Sequence, residues 1–157
     1  MNLLVTNLLL AIIWAAMTGS VTLANLVAGY GFGYLVLFAL RSFYQPTGYF
    51  KKLPQALLFV LYFLKEMLVS SVRVAFDVIT PTHRSRPGII AIPLTVRSPM
   101  EITVLANMIT LTPGTLSLDL SDDQRTLYIH AMFADDPDQI RHEIKHGLEA
   151  KILELLR

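Results

Sequence analysis

The sequence predicts a chain in two parts: an α-helical membrane half, then a small α+β domain of order βαββα. The membrane half reads as a helical hairpin plus an amphipathic or third membrane helix. Three observations carry this. Residues 1–40 contain no Asp, Glu, Lys, Arg or His, and the first charge is Arg41. The chain is 54% hydrophobic with a mean hydropathy of +0.52, too apolar for an ordinary soluble protein of 157 residues. From residue 81 onward there are 8 Lys plus Arg against 10 Asp plus Glu, as on a water-facing surface. The expected layout is a membrane domain over 1–80, a linker over 81–87 and a cytoplasmic domain over 88–157.

A membrane span needs about 20 apolar residues. Leu3 to Leu40 is about twice that, broken at Thr18-Gly19-Ser20. Two helices follow, at about 3–17 and 21–40, the first one short. Small residues after an apolar run also suggest a signal peptide, but no positive n-region precedes the run, so an uncleaved anchor is expected. In the second helix Gly29 and Gly33 form a small-xxx-small pair, and Asn7 and Asn25 are polar in an apolar setting. Association in lipid relies on close backbone approach and interhelical hydrogen bonds, so Asn25, Gly29 and Gly33 are helix-packing candidates. Glycine is also simply common in membrane helices.

The third apolar segment, helix 54–79, opens with Pro54 in its first turn, where proline is tolerated. Tyr62, Lys65, Glu66, Ser70, Arg73 and Asp77 fall on one side of it. Such a helix either lies in the membrane interface with this stripe toward water, or spans with Lys65 and Glu66 as a polar pair among partners. Arg41, Lys51 and Lys52 precede the segment, and Arg73, Arg84 and Arg86 come at or after its end. Both basic clusters stay on the cytoplasmic side only if the segment does not cross, which favours two spans and an interfacial helix.

In the second half, Gly88 to Val96 reads as a strand that Pro93 pushes toward an edge. Ser98-Pro99-Met100-Glu101 is a capping box with proline at N1, opening a helix with Ile102, Leu105, Ala106 and Ile109. Thr112-Pro113-Gly114-Thr115 has the residues of a type II turn. Leu116, Leu118 and Leu120, then Leu127, Ile129, Ala131 and Phe133, alternate with other residues and read as a hairpin with one buried face. Asp136-Pro137 caps a last helix with Ile140, Ile144, Leu148 and Ile152 on one stripe. Both helices on one sheet face would leave Tyr128, His130 and Met132 on the other, a candidate docking face.

Few residues suggest chemistry. The absence of Cys removes disulfides and thiolates, and the net charge of +1 offers no footprint for nucleic acid. His142-Glu143-Ile144-Lys145-His146 matches H-E-x-x-H, the zinc motif of metallopeptidases. By α-helical phase, however, His142 and His146 lie opposite the apolar stripe and point to water, with little chain left for a third ligand. No catalytic, metal or cofactor site is therefore assigned. A small membrane-anchored metallopeptidase and a membrane-tethered binding or regulatory module remain the alternatives.

The uncharged hairpin, the helix with Lys65-Glu66, Pro87-Gly88-Ile89-Ile90-Ala91-Ile92-Pro93-Leu94 and above all the run from Leu105 to Leu116 (LANMITLTPGTL) resemble the E-type subunit of the multisubunit Mrp-type Na+/H+ antiporters. The Tyr128-Ile129-His130 strand fits as well, and the likeness runs essentially the whole chain. The resemblance implies an accessory or assembly subunit in a bacterial cytoplasmic membrane complex that exchanges monovalent cations for protons. Its implied partners are the other antiporter subunits and membrane lipid, its C-terminal domain is cytoplasmic, and it assigns no catalytic residue.

Overall fold

The computed structural model describes residues 3–43, 48–81 and 85–156, so part of the expected linker lies outside the described residues. The chain forms two compact units, one ending at Pro54 and one beginning at Gln55.

In the first unit, α1 (Leu3–Met17) and α2 (Leu23–Ala39) pack as a hairpin, followed by a 3-10 turn at Arg41–Phe43. Gly19 takes φ +69 just past the end of α1, a left-handed conformation in which glycine carries no Cβ penalty. Thr22 caps α2, and its side chain accepts from the Asn25 N–H. The two helices meet along Leu3, Asn7, Ala11 and Ala15 of α1 and Gly29, Gly33 and Leu37 of α2, all buried. Their other faces are apolar and exposed: Leu9, Ile12 and Ile13 on α1, Val27, Leu35 and Val36 on α2. Among the described residues no helix is long and apolar enough to cross a membrane.

Helix α3 (Tyr49–Ile79) begins five residues before its Pro54, and its length from Gln55 onward belongs to the second unit. That unit continues with β1 (Gly88–Pro93), α4 (Pro99–Leu111), β2 (Thr115–Leu120) and β3 (Thr126–Ala131). It ends in a helical run of α5 (Pro137–Glu143), a π-helical turn (Ile144–Glu149) and α6 (Ala150–Leu156). The three strands form an antiparallel sheet of order β1-β3-β2, pairing Ile90 with Ile129 and Ser117 with Ile129 across the centre. This is the expected mixed α/β domain. Its core joins Ile90, Ile92, Leu127 and Ile129 of the sheet to Ile102, Leu105 and Ile109 of α4 and Ile144, Leu148 and Ile152 of the final run.

The local punctuation is as the residue types dictate. Ser98 and Glu101 form both halves of the capping box. The Thr115 N–H donates to Thr112 O across a turn in which Gly114 holds φ +86. Asp136 accepts from the N–H groups of Asp138 and Gln139. Replacing Ser98 by Ala should cost about 1 kcal/mol. Hydrogen exchange at the Glu101 amide would then speed up severalfold while the last turn of α4 stays protected; unchanged exchange at Glu101 would contradict the cap.

One strand departs from the expected pattern. Leu116 and Leu118 do not face the core: they are 44% and 47% exposed. Leu116 stands opposite His130 on the outer face, while Ser117 turns inward and donates from its hydroxyl to Ala106 O of α4. The register then shifts between Ser117 and Asp119, bringing Leu120 opposite the buried Leu127. Ser117 is bonded to α4 through both its hydroxyl and its N–H, and a one-residue change of phase moves every side chain to the other face.

The final helical run explains a second departure. Four residues of α-helix overshoot a full turn by about 40°, so a strict four-residue stripe would drift around the helix. One π turn takes up that drift and keeps Ile144, Leu148 and Ile152 all buried. It also buries Glu149, one residue beside the stripe, at 1% exposure.

Candidate functional site

Among the described residues, two of the places that collect polar side chains among apolar ones bear on function. In the first unit Asn7 is fully buried between α1 and α2. Its Nδ2 donates to the Tyr49 hydroxyl at 2.8 Å, and the Tyr30 and Tyr49 hydroxyls lie 2.9 Å apart. Among the described residues the Asn7 Oδ1 has no hydrogen-bond partner, and it lies against the backbone of Gly33, where a Cβ would overlap it. Gly29 does the same for the other end of the contact: a Cβ there would come 2.8 Å from Trp14 Cβ and 3.0 Å from the Ala11 backbone. Gly29 and Gly33 thus sit where α2 meets α1 of the same chain. Asn25 lies at the hairpin turn, donating to Ser20 O and Thr18 Oγ1.

The second place is a cleft in the second unit. One wall is the polar stripe of α3, with Tyr62, Glu66, Ser70 and Arg73. The opposite wall is the helical run carrying His142, Glu143 and His146, and the floor is apolar, from Ile109, Ile144 and Leu148. Its volume is about 400 Å³. Three contacts fix α3 along this side of the domain. Phe59, Tyr62 and Phe63 join the core, Ser70 donates to Pro113 O at 2.9 Å, and the Ser85 N–H donates to the buried Asp77. Gly147, in the π turn, makes room for the Tyr62 hydroxyl, which lies 2.5 Å from where its Cβ would be. Burial, and then the carboxylates of Glu66 and Glu143, hold the Tyr62 hydroxyl above its ordinary pKa.

The zinc-like motif borders this cleft, and His142 and His146 are both exposed, as their place opposite the apolar stripe predicts. In the π turn a four-residue step lies nearer one full turn, and the rings of His142 and His146 stack with centroids 4.0 Å apart. His146 Nδ1 is 3.0 Å from His142 O. Among the described residues no group of three His, Cys, Asp or Glu could hold a metal ion. Lys65 and Glu66 form an ion pair of 3.5 Å, with the Lys65 side chain 70% exposed. Such exposed pairs contribute little to stability.

The outer face of the sheet holds Tyr128, exposed, and His130, half-buried, with Met132 half-buried just past the strand. The reversed phase of β2 adds Leu116 and Leu118, and β1 adds Ile89 at 69% exposure. Sequence reasoning missed these three leucine and isoleucine positions, and it missed Glu149. The Glu149 Oε1 accepts from the N–H groups of Thr95 and Val96 just after β1, the latter at 2.9 Å. A four-residue apolar period that outruns the α-helix was the signal for Glu149; the leucines alternated correctly, and nothing in β2 itself marked the inversion.

Residues 7–155 match the family model described as Na+/H+ ion antiporter subunit, MNHE. The chain is 34% identical over 151 residues to the E-type subunit of the Na+/H+ antiporter of Alkalihalophilus pseudofirmus, covering 96% of each. It is 38% identical to the antiporter protein of the same name from Bacillus subtilis, again covering 96% of each. Among solved structures, a chain in the Mrp complex from a Dietzia species is 32% identical with a TM-score of 0.50, covering 65% of this chain and 96% of that one. A chain in the membrane-bound sulfane sulfur reductase, an archaeal respiratory membrane complex, is 26% identical with a TM-score of 0.62, covering 98% of each. A match over residues 7–155, which takes in most of the helical hairpin with α3 and the small sheet domain, leaves one conclusion: this chain belongs to the Na+/H+ ion antiporter subunit family, MNHE.

Proposed function

We infer that this chain is an accessory subunit of a multisubunit cation/proton antiporter in a bacterial cytoplasmic membrane, supporting assembly without a catalytic site of its own. The observation that carries the reading is the family match over residues 7–155, which spans both compact units. Residues 1–80 form the membrane part and 88–157 the cytoplasmic part. The α1–α2 hairpin is embedded, supported by forty residues without a charge and by apolar side chains on its outer faces. Helices of 15 and 17 residues measure about 22 and 26 Å, short of the roughly 30 Å hydrocarbon core. Neighbouring subunits or local thinning make up the difference.

Helix α3 lies along the cytoplasmic surface. Leu57, Leu61, Leu64, Leu68 and Val72 form an exposed apolar stripe, and the polar stripe opposite is engaged by the sheet domain. Single Cys residues at Ser42 and Asp122 test this topology in a chain with no native Cys. Both are expected to be shielded from an impermeant thiol reagent in intact cells; labelling at one of the two would mean that α3 crosses.

The sheet's outer face, with Tyr128, His130 and Met132 and the adjoining Leu116 and Leu118, rests on a fellow subunit. Changing Leu118→Asp together with Tyr128→Asp should lower the amount of complex that co-purifies with a tagged chain several-fold. Exchange per assembled complex in membrane vesicles should stay at the parent level. If this pair leaves assembly intact but abolishes exchange, the chain holds part of the ion path and the accessory reading fails.

A further inference from the structure

The cleft between α3 and the final helical run has no part in the assembly role above. It combines an apolar floor with groups of both charge signs, the guanidinium of Arg73 and the carboxylates of Glu66 and Glu143, beside the rings of His142 and His146. A cleft of about 400 Å³ with a few polar groups converging over an apolar floor has the ordinary form of a small-ligand site. Its mixed charge selects among ligands. An anion alone would meet two carboxylates, and a cation alone would meet Arg73. A group with a phosphate at one end and an ammonium at the other satisfies both, the phosphate on the guanidinium and the ammonium between the carboxylates.

The position of the cleft on α3 indicates where such a group comes from. At 100° per residue, Tyr62, Glu66, Val69 and Arg73 lie about a third of a turn around the helix from the apolar stripe. A helix with that stripe in the acyl boundary holds its flanks at headgroup level. We propose that this cleft binds the headgroup of a zwitterionic aminophospholipid of the membrane, with Arg73 on its phosphate and Glu66 and Glu143 on its ammonium. This rests on the reading of α3 as a surface helix. The stacked pair of His142 and His146 forms part of the same wall and reports on occupancy.

The test uses the full chain, labelled with 13C in its histidine rings, in nanodiscs of digalactosyl diacylglycerol, a lipid with neither phosphate nor ammonium. Added phosphatidylethanolamine is expected to shift the His142 and His146 resonances saturably, while phosphatidylglycerol, which has no ammonium, is not. Arg73→Gln and the double change Glu66→Gln, Glu143→Gln should each weaken that response about tenfold or more, since each removes charge-assisted bonds. Equal shifts from phosphatidylglycerol, or a response indifferent to the two glutamates, would overturn the headgroup site. So would an equal response to soluble phosphoethanolamine, which would make the ligand a free zwitterion. Shifts that appear only when the other subunits are added would assign the cleft to a protein partner instead. A fluorophore at Leu64, quenched by nitroxide-bearing lipid, reads the helix separately. If quenching occurs and the histidines stay silent, the headgroup site alone is wrong; if quenching fails, the surface-helix reading fails first.

Discussion

Cells carrying Gly29→Ile with Gly33→Ile are expected to lose most of their assembled complex. A Cβ at Gly29 would meet the Ala11 backbone at 3.0 Å, and backbone cannot swing aside as a side-chain tip can. At Gly33 the obstacle is the Asn7 amide, which is fully buried and tethered to Tyr49, so it has nowhere to turn. Isoleucine adds three further carbons at each position. The helices must part, and for the embedded hairpin proposed above close packing is the main attraction between them. Separation also leaves the Asn7–Tyr49 hydrogen bond unmade in an apolar setting, at about 1–2 kcal/mol. We expect co-purified complex to fall about tenfold, with exchange per remaining complex near normal. Because the contact lies within one chain, the free subunit should show it too, as early protease cleavage in the 18–22 turn. A resistant hairpin in the double variant would argue that the glycine face meets a different subunit.

Glu149→Ala should be the most damaging single change in the sheet domain, at about 3 kcal/mol. One carboxylate oxygen holds two successive backbone N–H groups, those of Thr95 and Val96, where the chain leaves β1. Alanine would strand both donors, Val96 being wholly buried, and would open a void where the buried Glu149 side chain now lies. Glu149→Gln keeps an acceptor oxygen and should cost only about 1 kcal/mol. Urea midpoints of the two variants, read by circular dichroism of the full chain in detergent, separate the cases. Equal losses for Ala and Gln would show that charge and not hydrogen bonding is what matters there.

Much of the sheet domain was legible because its signals are local. Ser98 with Glu101, Pro113 with Gly114, and Asp136 before Pro137 each act within four residues, and each does in the structure what its chemistry requires. The phase of β2 was not legible in this way. Ser117 faces α4 and donates to Ala106 O, eleven residues earlier in sequence, while Leu116 faces out, and no property of a strand encodes which residue its neighbouring helix will bond. The cleft was half legible. Tyr62, Glu66, Ser70 and Arg73 shared a stripe from the start, but water and a folded domain are equally polar partners, so the pattern alone could not name which one it faces. The wall opposite needed the π turn, and only the four-residue period of Ile140, Ile144, Leu148 and Ile152 hinted at it.

The order β1-β3-β2 leaves both outer strands with hydrogen-bonding groups turned away from the sheet, and each is closed by the chain itself. On β1, Arg141 donates to Ala91 O at 3.0 Å and Lys145 to Pro93 O at 3.4 Å, and Pro93 has no N–H to offer. On β2, the Ser117 N–H goes to Thr110 Oγ1 and the Leu120 N–H to its neighbour Asp119. A strand from another protein would have to displace these groups before it could pair, so the sheet resists growing sideways. For a subunit made at a crowded membrane beside many unfolded hydrophobic chains, this is protection against being recruited into a stack of strands. It also restricts how partners can hold it. Recognition through the sheet face proposed above would rest on its side chains, where a single substitution can tune or abolish it, and not on main-chain pairing that any extended sequence could supply.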